Sequence, residues 1–330
     1  MNNSGDDTFM QRRFLVGIDL GGTNCRMALV DGQGRVCRRE RFSSRDFDHV
    51  DGLMAKIEVI CREFEIAVRG AGGEIVALGA GVPGLVDYQG KVMVAPNLSW
   101  LNGVDFSARL AELGQWSVRV INDANAIAWG EHAWGAVRDN SSFLAVTLGT
   151  GVGGGLVLGG RLWVGSDGAA GEFGHVVVEP DGRPCRCGSR GCLEQYASAT
   201  GILRSVREEL VQGRRSSLES LDADALTALA VGRAAREGDA LALDVLNEAG
   251  RRLGQGLAMI ANVLNPEAVV ICGGVSLSLD LMRPSLDGEL SRRAFEVSAR
   301  RLRIVAGELG DDAGILGAAH IAGCTDALWP

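Results

Sequence analysis

The sequence predicts an α/β protein built from two lobes, and three observations carry that prediction. The chain has 330 residues, and at about 150 residues per domain that length calls for two lobes. Short apolar runs end repeatedly in glycine turns, the pattern of buried strands feeding loops at their ends. One strand–glycine turn–strand unit also recurs. At an offset of 128, Asp19, Leu20 and Gly21 fall on Thr147, Leu148 and Gly149, Gly22 on Thr150, and Leu29 and Val30 on Val157 and Leu158. Such a recurrence points to a duplicated architecture.

The elements follow in order. FLVGIDL (Phe14 to Leu20) is a strand that stops at Gly21-Gly22-Thr23, and CRMALV (Cys25 to Val30) is its return. Asp31-Gly32 marks the next turn and RVCRRERF a third strand. Residues 49–68 carry Leu53, Ile57, Ile60, Phe64 and Val68 at the spacing of one helix face. EIVALGAGVPG is a buried strand running into a glycine-proline turn. VRVINDANA (Val118 to Ala126) is read as a strand with a polar end, followed by the helix AIAWGEHAW. SFLAVTLGTGVGGGLVLGG opens the second copy of the strand–turn–strand unit, and GRRSSLESLDAD (Gly213 to Asp224) is a polar surface loop. A long helix follows, with Leu241, Val245, Leu246, Ala249, Leu253, Leu257, Ile260 and Ala261 on one stripe, and Asn265-Pro266 ends it. EAVVICGGVS is one more strand with a Gly-Gly turn, and AGILGAAHIA is a closing helix of small residues. This is the arrangement that places ligands at strand ends.

Composition narrows the function. The balance of 33 basic and 41 acidic residues gives a net charge of −8, and an acidic surface repels nucleic acid. With 46% apolar and 22% charged residues the chain is an ordinary globular one rather than a disordered one. No run reaches the about 18 apolar residues of a membrane span, and the start, MNNSGDDTFMQRR, is polar and lacks a secretory core. A cytoplasmic location without membrane or nucleic-acid partners is the expectation. The tail before Phe14 reads as a disordered end. Glycine, at 47 residues, is about twice as frequent as usual and clusters where tight turns and close backbone approach are needed.

Eight cysteines in such a chain are expected to be reduced thiols. Cys25, Cys37, Cys61, Cys272 and Cys324 are scattered and read as structural. Cys185, Cys187 and Cys192 are packed together, with His175 a few residues upstream. Three thiolates and an imidazole are the donors of a closed tetrahedral Zn²⁺ site, so the metal is expected to be structural. The turn-rich PDGRPCRCGSRGC can wrap an ion.

The glycine turns are the second signal. Missing side chains in LGGT (Leu20 to Thr23), LGTG (Leu148 to Gly151) and CGG (Cys272 to Gly274) let backbone N–H groups approach phosphate or adenosine. Asp19, at a strand end, is placed to hold a hydrated Mg²⁺. Neither Walker A nor GxGxxG is present in its required form. The third signal is polar groups at strand ends. Asp123 follows an apolar strand, where a partly desolvated carboxylate can act as a base, or it caps the following helix, or it does both. Asn97, Glu172 and Glu194 offer amide and carboxylate groups suited to sugar hydroxyls. The zinc site would fix the two glutamates.

These residues together resemble the ROK family of sugar kinases, in the actin-like ATPase (ribonuclease H-like) superfamily. The resemblance runs from about Phe14 to about Ala322. GIDLGGTN and LGTGVGGG resemble the two phosphate motifs, APNLSW a sugar-contacting segment and NDANA the catalytic segment. GEFGH followed by CRCGSRGCLE resembles the family signature with its zinc ligands, and ICGG the adenosine motif.

The resemblance implies a two-lobed fold with a small zinc-binding loop over 175–192. It implies a small lobe of residues 1–120 completed by 310–330, and a larger lobe of 121–309. It also implies direct phosphoryl transfer from ATP to a hexose, glucose first, with Asp123 taking the proton of the accepting hydroxyl. Asn97, Asn122, Glu172, His175 and Glu194 would hold the sugar. Asp19 would position Mg²⁺, while Gly21, Gly22, Thr23, Gly149, Thr150, Gly151, Gly273 and Gly274 would cradle the nucleotide. His175 would serve both sugar and zinc, and which ring nitrogen serves which is open. A homodimer is implied as well. N-acetylmannosamine, N-acetylglucosamine, fructose and allose remain alternative substrates, and a sugar sensor without catalysis is the alternative of another class. Repressors of the family carry a helix-turn-helix of several dozen residues ahead of the first strand. With only 13 residues before Phe14, that role is not expected.

Overall fold

The computed structural model describes residues 13–328 and divides into two units. The tail read as a disordered end lies, up to residue 12, outside the described residues, as do 329 and 330. The first unit contains the described residues up to Ser141, Gly155–Gly171 and the described residues from Glu308. The second contains Ser142–Gly154 and Glu172–Gly307.

In the first unit, β1 (Arg13–Leu20), β2 (Asn24–Asp31) and β3 (Val36–Ser43) form an antiparallel meander. Helix α1 (Val50–Gly70) leads to β4 (Glu74–Val82), which lies parallel to β1. A small ribbon of β5 (Leu85–Val86) and β6 (Val92–Val94) and helix α2 (Phe106–Ala111) precede β7 (Ser117–Asn122), parallel to β4. Helix α3 (Asp123–Trp134) follows at once. Alternation along the strands sorts the two faces of this sheet. Val16, Ile18, Leu20, Cys25, Met27 and Leu29 share a core with Leu53, Ile57, Ile60, Phe64 and Val68 of α1, the five positions expected from the periodicity. The opposite face offers Leu15, Ala28 and Val30 to Ile315, Leu316 and Ala319 of the closing helix, Ala313–Ala322.

That closing helix lies backbone-close on the sheet. A Cβ on Gly79 of β4 would sit 1.7 Å from the Ala318 carbonyl oxygen, so no side chain larger than hydrogen fits there. Small residues in AGILGAAHIA have the same cause.

A second five-stranded sheet contains β8 (Phe143–Leu148), β9 (Val152–Leu158), β10 (Arg161–Trp163), β11 (Ala268–Cys272) and β12 (Arg303–Ala306). Its order is β10-β9-β8-β11-β12, and that of the first sheet is β3-β2-β1-β4-β7. The two orders are the same, with the antiparallel return on one side and two parallel strands on the other. Asp19 and Thr147 occupy the same penultimate position of β1 and β8, so the short recurrence in the sequence marks a duplicated topology.

The second unit adds α4 (Glu194–Ala197), α5 (Ala199–Val211), α6 (Ala228–Arg236), α7 (Ala240–Leu264), α8 (Leu279–Arg293) and α9 (Glu296–Arg301); the closing helix is α10. The stripe expected on α7 is buried except at Ile260, and Asn265 ends the helix in a left-handed conformation, φ 46°. No helix among the described residues is long and apolar enough to cross a membrane.

One sequence boundary is corrected. The strand expected to reach Ala126 stops at Asn122, and the helix begins at Asp123. The polar stretch is a helix start: Asn122, extended at φ −62° and ψ 148°, accepts hydrogen bonds from the N–H groups of Ala124 and Asn125.

Candidate active site and metal centre

In the first unit the expected groups gather at the carboxyl ends of β1, β4 and β7. Pairing sets Asp19 level with Gly81, and Gly81 level with Ile121. Asp19 and the Asn122-Asp123 step are thus two strands apart, about 10 Å. Asp19 points to the α10 face, where its carboxyl group abuts Gly314. Its neighbour across the hairpin, Arg26, donates from Nε to Asp19 Oδ2 at 3.1 Å and closes the ion pair through Nη2.

The first glycine turn is closed by Gly21 N–H to the Asn24 carbonyl, 2.8 Å. A buried serine fastens it from outside: Ser44 donates from its N–H to the Thr23 carbonyl at 3.0 Å and from Oγ to the Gly21 carbonyl at 2.7 Å. A Cβ on Gly22 would lie 2.8 Å from Cβ of Asn97. The missing side chain therefore brings an exposed amide from the β6–α2 loop directly onto the turn.

At the head of α3 the cap is Asn122, not Asp123. The Asn122 Oδ1 accepts from Ala124 N–H (2.9 Å) and Asn125 N–H (3.1 Å), and Nδ2 donates to the Gly84 carbonyl at 2.9 Å. Asp123 stands in the first turn, half-buried, with Oδ1 accepting from Ala124 N–H at 2.8 Å.

In the second unit two glycine turns lie side by side. β8 ends at Leu148 before Gly149-Thr150-Gly151, and the parallel β11 ends at Cys272 before Gly273-Gly274, with Cys272 level with Thr147. Nothing stands within 4 Å of a Cβ built on Gly149 or Gly274, so both present bare backbone. The first of these turns is held by the chain that follows the cysteine loop. Glu194 Oε2 accepts from Val152 N–H at 3.1 Å, Ala199 N–H donates to the Gly149 carbonyl at 2.8 Å, and Thr200 Oγ1 donates to the Thr150 carbonyl at 2.8 Å. A Cβ on Gly151 would stand 2.5 Å from that same Glu194 oxygen.

The candidate metal ligands converge. Ligand atoms of His175, Cys185, Cys187 and Cys192 all lie within 4.8 Å of one another. The sulfurs of Cys187 and Cys192 are 3.7 Å apart, and Cys185 Sγ is 3.6 Å from His175 Nδ1. A Zn²⁺ tetrahedron has edges of about 3.8 Å between sulfurs and about 3.6 Å from sulfur to nitrogen, so the four residues fit the ion. Burial, with two thiols beside it, pushes Cys192 up to about 12; three thiolates here need a cation among them. With Nδ1 facing the sulfurs, His175 Nε2 faces Glu172, 3.8 Å away. Of the scattered cysteines, Cys25, Cys61 and Cys272 are buried, and burial pushes Cys61 up to about 12, as befits inert thiols.

Sequence reasoning missed Arg26, Ser44 and Arg45, whose guanidinium donates to Thr23 Oγ1 of the first turn at 3.2 Å. Arg26 could have been found from strand register alone, since a hairpin closing at Gly21 to Asn24 sets it opposite Asp19. Ser44 and Arg45 carry no comparable signal.

A match to the ROK family runs through residues 15–324. The chain belongs to that family and has its two-lobed, mixed α/β actin-like ATPase fold. It is 38% identical over 321 residues to a glucokinase of Thermotoga maritima, spanning 94% of this chain and 98% of the relative. A ROK family glucokinase of Streptomyces griseus, solved with glucose and AMPPNP, aligns with a TM-score of 0.75 and 34% identity over 94% of this chain and 99% of that one. A ROK family transcriptional regulator, a homologue of the E. coli MLC protein, aligns with a TM-score of 0.86 and 27% identity over 95% of this chain and 78% of that one.

Proposed function

We propose that the protein is a hexose kinase that transfers the terminal phosphoryl group of ATP to glucose, giving glucose 6-phosphate. The observation that carries this reading is the contact of Gly22 with Asn97. It sets an amide suited to a sugar hydroxyl directly on a phosphate-type turn, within one unit that also holds Asp123 and Asp19. The relatives named glucokinase, one of them solved with glucose and AMPPNP, support hexose phosphorylation with glucose as the first candidate substrate.

In this reading Asp123 accepts the proton of the attacking hydroxyl. Asn122 caps α3, and Asp123 stands beside it in the first turn at the end of an apolar strand, where a carboxylate can serve as general base. Asn97, the remaining N–H of Asn122, and Glu172 with His175 Nε2 orient the sugar. Glu194 acts at one remove, since it holds the Val152 N–H and thereby the Gly149–Gly151 turn. The bare turns at Gly149 and Gly274 take phosphate and adenosine through backbone N–H groups. Asp19, whose Oδ2 accepts from Arg26, would hold a hydrated Mg²⁺, which when bound neutralises phosphate charge. Catalysis is then alignment and charge neutralisation without a covalent intermediate. His175, Cys185, Cys187 and Cys192 hold a structural zinc.

The likeness to a transcriptional regulator supports a second reading, a sugar sensor without transfer. A coupled ADP-release assay with ATP and Mg²⁺ over glucose, mannose, fructose, allose, N-acetylglucosamine and N-acetylmannosamine separates the two. Strong glucose turnover is expected. A preference of about tenfold or more, or 1.4 kcal/mol, for an N-acetylated sugar would replace the substrate but keep the mechanism. Sugar and ATP binding with no turnover on any member would establish the sensor.

A further inference from the structure

The turn end of the β1–β3 meander concentrates arginine in a protein of net charge −8. Arg26 and Arg41 are direct cross-strand partners on one face of the sheet, a pairing of like charges that is unfavourable by itself. Arg45 lies just beyond β3, next to the clamping serine. One carboxylate answers this group: Asp19, on Arg26. Arg41 donates to Asn24 Oδ1 at 3.3 Å and Arg45 to Thr23 Oγ1 at 3.2 Å, and among the described residues neither forms an ion pair.

The bond from Arg45 to Thr23 has a chemical consequence. The threonine oxygen accepts from a guanidinium, so its own proton is turned away from Arg45 and is available to an acceptor elsewhere. An exposed guanidinium with further N–H groups to spare and a hydroxyl aimed as a donor stand side by side on a glycine turn. Such a pair suits a phosphate oxygen, which accepts from both and is strengthened by the charge. Ser44 fixes the arrangement, because the residue before Arg45 is pinned at two points of the same turn.

We propose that Arg45 is a phosphate-binding residue of the donor site, gripping the terminal phosphate of the nucleotide together with the Thr23 hydroxyl. This rests on the kinase reading above and adds to it a contact made by a side chain outside the glycine turn.

The test is calorimetric titration of AMPPNP with Mg²⁺ into the full-length protein. The set is wild type, Arg45→Gln, Arg45→Lys, Thr23→Val, the Arg45→Gln/Thr23→Val double variant, and Arg62→Gln as a control for charge alone. Arg62 is an exposed residue of α1 that pairs with Glu58. Arg45→Gln is expected to weaken AMPPNP binding by about tenfold or more, as loss of a charged hydrogen bond does. Arg45→Lys recovers part of it, glucose affinity and melting temperature stay unchanged, and the double variant loses less than the sum of the single losses. Weakening no greater than that of Arg62→Gln, or strictly additive losses, would overturn the assignment. Wild-type protein that binds glucose but not AMPPNP would remove the kinase reading and this inference with it. Wild-type binding with Arg45→Gln unaffected removes the role of Arg45 alone.

Discussion

Glu194 accepts the Val152 N–H at 3.1 Å, and it stands two residues after Cys192 in the chain. The cysteine loop therefore ends in the side chain that fastens the second phosphate-type turn. His175, at the other end of the loop, turns Nδ1 to the sulfurs and Nε2 to Glu172. An ion bound by these four residues would set the position of both glutamates at once, which is what makes a structural metal relevant to ligand binding.

Loss of one ligand should accordingly lower stability and binding together. Elemental analysis of wild-type protein purified without chelator should find stoichiometric zinc, and Cys187→Ser should retain little. If the loss costs about 2 kcal/mol, the melting temperature of a chain this size falls by about 3 °C, and affinity for glucose and nucleotide falls with it. Wild-type protein free of zinc, or a Cys187→Ser variant with lower stability and unchanged affinities, would detach the loop from the site.

Asn122 and Asp123 are neighbours with separable tasks. Asp123→Asn should reduce turnover by about 10²–10⁴-fold, the scale of a lost general base, while glucose binding and melting temperature remain near wild type. Asn122→Ala removes the acceptor of two N–H groups and the donor to the Gly84 carbonyl. It should cost about 1–2 kcal/mol of stability, visible as a lower melting temperature. Unchanged turnover in Asp123→Asn would sink the base assignment.

Gly22→Ala tests the contact between the turn and the loop that carries Asn97, the proposed sugar contact. The new methyl group would stand 2.8 Å from Cβ of Asn97, too close to coexist, and the exposed loop carrying Asn97 is the part free to yield. The expected result is a glucose KM raised several-fold with little change in melting temperature. An unchanged KM would separate Asn97 from the sugar.

Helices α1 and α7 were legible because their packing leaves a periodic trace in side-chain hydrophobicity, the strands because short apolar runs end in glycine turns, and α10 because its residues are small. Helix α8 was not read: its apolar positions Leu279, Met282, Leu286 and Leu290 fall at helix spacing, but Pro284 and the charged residues between them obscure the pattern. It also packs by its backbone, since Cβ atoms on Gly250 and Gly254 of α7 would lie 2.3 and 2.5 Å from the carbonyl oxygens of Met282 and Leu286. At the site, His175, Cys185, Cys187 and Cys192 could be read because metal ligation demands particular atoms at short spacing. The head of α3 was read as strand because Asn122 and Asp123 suit a polar strand end as well as a helix start. Arg45 on Thr23 and Glu194 on Val152 arise only from how separate segments meet, and neither pattern is written in local sequence.

A pH dependence of stability follows from the contact of α3 with α10. His320 Nδ1 accepts from the Trp129 indole N–H at 2.9 Å, a bond that requires that nitrogen to be unprotonated. Burial holds the pKa of His320 below the usual histidine value, and the neighbouring His132 lowers it further. Above the unfolded value of about 6.5 neither the folded nor the unfolded chain carries this proton. As the pH falls below that value the unfolded chain takes up the proton first, so the stability present at neutral pH is lost progressively toward the lower folded value. The melting temperature should therefore decline between pH 7 and 5. His320→Gln, whose side-chain carbonyl can accept from Trp129 without titrating, should make that decline shallower. A slope unaltered by His320→Gln would assign the acid sensitivity to other groups.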